Sequence, residues 1–68
     1  MTKRTQELEV GDIVIGFTNN AMTIMDITWA GGDNYRVTYS TKKRLGSGSQ
    51  IVTAIERVNS IFQMKESN

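Results

Sequence analysis

The chain has 68 residues with eight basic and seven acidic side chains, for a net charge of +1, and it contains neither cysteine nor histidine. A chain this short forms one domain with a modest core, and it has no disulfide and no common zinc ligand set to reinforce it. Near-neutral charge excludes a bulk field that would steer the whole molecule onto a polyanion, and the missing histidine and cysteine remove the usual base and thiol of nucleophilic catalysis.

Met1 to Glu7 is polar and reads as a flexible N-terminal tail, residues 1–7, without the apolar stretch of a signal peptide. Residues 8–64 read as a single small β domain, and 65–68 as a flexible C-terminal tail. No apolar run is long enough to span a membrane, so a cytoplasmic location is expected. Leu8-Glu9-Val10 leads into the turn signal Gly11-Asp12, and Ile13 to Phe17 follows as a first strand. Alternation puts Ile13, Ile15 and Phe17 on one face, and Gly16 marks a bend.

The strongest signal is Gly31-Gly32-Asp33-Asn34 between two alternating runs, which predicts a β-hairpin. In Met22 to Trp29, alternation predicts that Thr23, Met25, Ile27 and Trp29 face the core. Met22, Ile24, Asp26 and Thr28 then reach solvent. In the third strand, Tyr35, Val37 and Tyr39 make the inner face, and Arg36, Thr38 and Ser40 the outer. Trp29, beside the glycine turn, is the aromatic expected to stay exposed.

Lys42-Lys43-Arg44 and then Gly46-Ser47-Gly48-Ser49 read as a basic, exposed loop. The glycine–serine run lacks the Gly-Lys-Ser/Thr ending of a phosphate-cradling loop. Gln50 to Met64 admits two readings. Ile51, Ile55, Val58 and Phe62 stand at helical spacing, whereas β-branched Val52, Thr53 and Val58 favour strand. Strand (50–53), helical turn (54–57) and strand (58–62) is one solution; an amphipathic helix over 50–64 is the other.

This order of elements resembles the small SH3-like barrels, including KOW and Tudor-type modules. The landmarks are Leu8-x-Val10-Gly11-Asp12-x-Val14, Met22 to Ile27, Tyr35 to Tyr39 and Ala54-Ile55-Glu56-Arg57-Val58. The resemblance implies a mostly β fold, an SH3-like barrel of about five short antiparallel strands with one helical turn. The alternative is a three-stranded meander with a C-terminal amphipathic helix. Ala54 to Asn59 also resembles the closing segment of the plasmid-borne type II dihydrofolate reductases, which are tetramers of such barrels. Their Val-Gln-Ile-Tyr tract corresponds here to Ser49-Gln50-Ile51-Val52, which keeps Gln and Ile, stands two residues nearer the closing segment and lacks the tyrosine. Their lysine near the end of the first strand has no counterpart after Gly11-Asp12.

The expected function is a non-enzymatic binding module without a cofactor. Its ligand is expected to be nucleic acid or a nucleic-acid-handling protein, held by Arg36, Lys42, Lys43 and Arg44 with Trp29 or Tyr39 alongside. The alternative is a protein-interaction or inhibitor module that docks through a sheet edge or the Met22/Ile24 face, with a homo-oligomer as one form. A reductase-like homotetramer is a further alternative. The scattered carboxylates Asp12, Asp26, Asp33 and Glu56 make no metal motif, and turn geometry accounts for Asp12 and Asp33.

Overall fold

The computed structural model describes residues 1–16, 20–42 and 48–65. The chain is mostly β. Its strands are β1 (Thr2–Arg4), β2 (Ile13–Ile15), β3 (Ala21–Gly31), β4 (Asn34–Lys42), β5 (Ser49–Arg57) and β6 (Ile61–Gln63), with one 3-10 turn at Thr5–Glu7. Strands β2-β3-β4-β5 form a four-stranded antiparallel meander, and β1 pairs with β6 in a second, two-stranded sheet. A bridge between Val14 and Met64 and a bond from the Lys65 N–H to the Ile13 carbonyl (2.9 Å) tie the two sheets together. Among the described residues no strand pairs with the far side of β5, so the two sheets do not close into a barrel.

The expected hairpin is the β3–β4 pair. Gly31 faces Asn34 across a two-residue connection, Gly32-Asp33, and Gly32 takes φ +55°, a conformation glycine adopts without steric cost. The faces of β3 differ from strict alternation. Ile24 pairs with Tyr39 and Asp26 with Thr38, so Met25 is an extra residue in a β-bulge. That one residue resets the period of two. Ile24 and Ile27 both turn inward, while Met25 and Asp26 are both exposed. The expected assignment of Met22 and Ile24 to the wet face, and of Met25 to the core, is therefore corrected. In strand β2 the alternation puts Val14 inside and leaves Ile13 and Ile15 half-buried; Phe17 lies outside the described residues.

The core comprises Leu8, Val14, Ile24, Val37, Tyr39 and Met64, with Met22, Ile27, Tyr35, Ala54 and Phe62 packed against it. The inner face expected for the third strand holds in β4. Residues 1–7 are not a free tail. Thr5 is buried, its N–H donates to the Ser60 carbonyl (3.0 Å), and its hydroxyl donates to the Arg57 carbonyl. The Lys3 ammonium donates to Asp12 Oδ2 at 2.9 Å. That bond holds the Asp12 carboxyl below the usual carboxylate range, assisted by the Glu9 N–H. Of residues 65–68, only Lys65 is described.

Residues 49–63 resolve as strand, turn, strand, and not as a helix. The helical turn expected at Ala54–Arg57 is absent because these residues continue the ladder with Val37 to Asn34. The reversal comes one step later, at Val58-Asn59-Ser60, where Asn59 adopts φ +69°. Asparagine is among the few side chains that visit this region routinely.

Candidate interaction site

The site is built by β5 and the groove beneath it. One bond sets the phase of the β4–β5 ladder: the Val58 N–H donates to the Asp33 carbonyl at 2.8 Å, immediately outside the Asn34–Arg57 pair. That arrangement makes Asn34–Arg57 a non-hydrogen-bonded pair, so the backbone of Arg57 points away from β4. Backbone direction alternates along a strand, so Ile55, Thr53, Ile51 and Ser49 point the same way. The Arg57 carbonyl is taken by Thr5. The N–H and C=O groups of Ile51, Thr53 and Ile55 form the open edge.

The side chains along this edge are apolar. Ile51 is 62% exposed, Ile55 58% and Val52 41%. Register with β4 puts Ile51, Thr53 and Ile55 on the outer face, opposite Ser40, Thr38 and Arg36. Val52, Ala54 and Glu56 lie on the inner face, above a groove of about 690 Å³ lined also by Val14, Met22, Tyr39 and Phe62.

Edges of this kind template pairing with another strand, and proteins commonly blunt them with short length, lysine or proline. Strand β1 is blunted in this way, being three residues long with Lys3 and Arg4 in it. Strand β5 runs for nine residues with no charge before Glu56. Lys42 stands at the end of the inner strand β4 and not on the open edge of β5.

Tyr39 is the polar anchor of the groove. Its hydroxyl donates to Glu56 Oε2 at 2.9 Å, joining β4 to β5 beneath the open edge. Burial, and then the Glu56 carboxylate, push the Tyr39 phenol well above its ordinary value. A raised phenol binds its proton more tightly in the folded chain. Its contribution is complete below the ordinary tyrosine value, near pH ~10, and drains as pH climbs from there toward the folded value. Tyr39→Phe is expected to lower stability by about 1 kcal/mol at neutral pH, since half-buried Glu56 can still reach water. It should also flatten the alkaline fall. Urea midpoints at pH 7 to 11 for both proteins check this; equal alkaline slopes would show that the phenol is not the titrating group.

The residues expected to hold nucleic acid do not converge. Tyr39 is in the core and unavailable for stacking. Trp29 is 64% exposed at the hairpin tip, its indole N–H donating to the Gly32 carbonyl at 3.0 Å. Its partner in the ladder is Tyr35, so it stands on the opposite face from Arg36. Arg36, Lys42 and Arg57 are exposed and share the outer face, with Asp26 among them. Lys43 and Arg44 lie outside the described residues. Of the expected protein-docking pair, Ile24 is fully buried and Met22 half-buried against the core, so that pair offers no docking face. The edge that was missed as a specific site carried a signal: β-branched Ile51, Val52, Thr53 and Ile55 in a row without charge.

No helix among the described residues is long and apolar enough to cross a membrane. Comparison with known proteins found no matching family model, no matching curated protein and no matching solved structure.

Proposed function

We propose that this protein is a non-enzymatic interaction module that receives an extended protein segment along β5. The observation that carries this reading is the nine-residue edge strand, paired on one side by β4, with Ile51 and Ile55 exposed on its outer face and Val52 exposed over an apolar groove. Strand addition supplies main-chain hydrogen bonds for affinity and alternate side-chain pockets for specificity. The groove on the inner side of β5 is suited to take every second residue of such a segment. The meander, turn and closing strand also support kinship with the small SH3-like modules, here in an open form.

A second reading, polyanion binding, is favoured by Arg36, Lys42 and Arg57 on one outer face. Arg36 and Lys42 stand six positions apart on β4, about 20 Å, a spacing that lets them touch separate phosphates. One experiment separates the readings: recovery of partners on immobilised protein from a native lysate, with nuclease, at low and high salt. Strand capture predicts a protein retained through nuclease and high salt, and lost with Ile51→Glu/Ile55→Glu. Polyanion binding predicts loss with nuclease or salt, and with Lys42→Ala/Lys43→Ala/Arg44→Ala. A partner unaffected by the isoleucine changes would overturn the edge as the site.

A further inference from the structure

We infer that the segment received by β5 is the β5 of a second copy, paired antiparallel about a two-fold axis through Thr53. This inference rests on the reading of β5 as the interaction site and names its occupant.

The argument begins with symmetry. Strand β5 spans Ser49–Arg57, and its midpoint is Thr53. In an antiparallel pair across a two-fold axis normal to the sheet, residues equidistant from the centre face each other. A centre at Thr53 is the register that sets all nine residues opposite a counterpart, with the Arg57 carbonyl kept by Thr5. Thr53 then faces Thr53 of the second copy, Val52 faces Ala54, Ile51 faces Ile55, Gln50 faces Glu56, and Ser49 faces Arg57.

Each pairing is chemically compatible. The four isoleucines of the two copies form two Ile51–Ile55 pairs on the outer face, flanking the threonine pair, so side chains 62% and 58% exposed in one copy cover one another. The Gln50 amide is a donor opposite the Glu56 carboxylate, and Arg57 meets a hydroxyl. No like charges are opposed. Centring the axis on Ile51 or Ile55 instead leaves the other isoleucine without an isoleucine partner and shortens the ladder.

The backbone phase agrees. The outward-facing groups of β5 belong to Ile51, Thr53 and Ile55, the positions that become hydrogen-bonded pairs in this register. Thr53 exchanges two bonds with its counterpart, and each Ile51–Ile55 pair exchanges two more. The result is a continuous sheet made of two four-stranded meanders, with its unpaired edge removed.

Sedimentation equilibrium from low to high micromolar concentration tests this on the full chain of 7.6 kDa. The wild type is expected to approach twice the monomer mass. Thr53→Lys and Thr53→Glu each place like charges directly opposite at the axis, and each is expected to be monomeric, weakened at least tenfold in self-association. Mixed one to one, they are expected to form a heterodimer, because each lysine then faces a glutamate. Thr53 is exposed, and circular dichroism spectra matching that of the wild type are the check that the variants fold. A wild type monomeric throughout overturns the inference; if it still retains a protein partner through Ile51 and Ile55, β5 as an interaction site stands without it. A dimer that persists in Thr53→Lys, or failure of the mixed pair to associate, overturns the register. A monomer that retains no partner overturns both.

Discussion

An Ile24→Ala variant is expected to lose its cooperative unfolding transition, while Met25→Ala, one position along, unfolds like the wild type. Ile24 is 0% exposed and packs in the centre of the core, and its backbone is also engaged. Its N–H donates to the Asp12 carbonyl and its C=O accepts from the Gly11 N–H, both at 2.8 Å. Truncation to alanine removes buried methylenes and leaves a cavity, at about 2–5 kcal/mol. A core in a domain of this size supplies only about 3–5 kcal/mol, so the loss is of the order of the whole stability. Met25 projects from the bulge and is half exposed, so its truncation should cost no more than about 0.5 kcal/mol. Ile24→Val is the graded control, at about 0.5–1.5 kcal/mol. Urea titrations followed by far-ultraviolet circular dichroism read all three. Equal sensitivity at 24 and 25 would mean that the bulge does not set the faces of β3.

Thr5→Val is expected to lower the melting temperature by roughly 5–20 °C, although it changes a residue in a segment that reads as a polar tail. The substitution keeps the shape and removes one hydroxyl. In the folded chain that hydroxyl, on a buried side chain, donates to the Arg57 carbonyl and lies 3.5 Å from the Ser60 carbonyl. Without it the Arg57 carbonyl loses a buried partner, at a cost of about 1–3 kcal/mol. Gln6 bonds to Asn59 next door but in the open, so Gln6→Ala should move the midpoint by only a few degrees. Thermal melts of the three proteins distinguish the buried contact from the exposed one. A Thr5→Val midpoint within 2 °C of wild type would show that the first residues do not anchor the β5–β6 turn, against the roughly 4–8 °C expected per kcal/mol.

The hairpin and the β character of the chain were legible because Gly32 and the flanking alternation are local signals. The inner face of β4 was legible for the same reason: Tyr35, Val37 and Tyr39 follow an uninterrupted period of two. The faces of β3 were not, because a bulge is decided by how two strands register against each other. Met25 looks like any other alternating residue until Tyr39 and Thr38 claim its neighbours. The last segment was ambiguous for a geometric reason. Ile51 and Ile55 are four apart, and that spacing puts them on one face of a helix and equally on one face of a strand. Pairing with β4 decides the matter. Thr5 was hidden because its partners, Arg57 and Ser60, stand more than fifty positions away. As for the site, Ile51, Val52 and Ile55 could be seen as apolar, but that β5 is an edge follows only from strand order. Trp29 was expected to be exposed and is; of the cations expected alongside it, Arg36 and Lys42 lie on the other face.

The pairing of Thr2 with Gln63 ties the first strand to the last. During synthesis the β3–β4 hairpin can form as soon as its two-residue connection leaves the ribosome, since its contacts are local. Strand β1 has no strand partner until β6, the last described strand, emerges. Closure of β1 on β6 therefore waits for a contact that spans nearly all the described strands. A covalent link between β1 and β6 would turn this slow step into a local one, since the Met64 N–H already donates to the Met1 carbonyl at 3.0 Å. A chain linked in this way should refold faster than the unlinked one without any change in its packed interior.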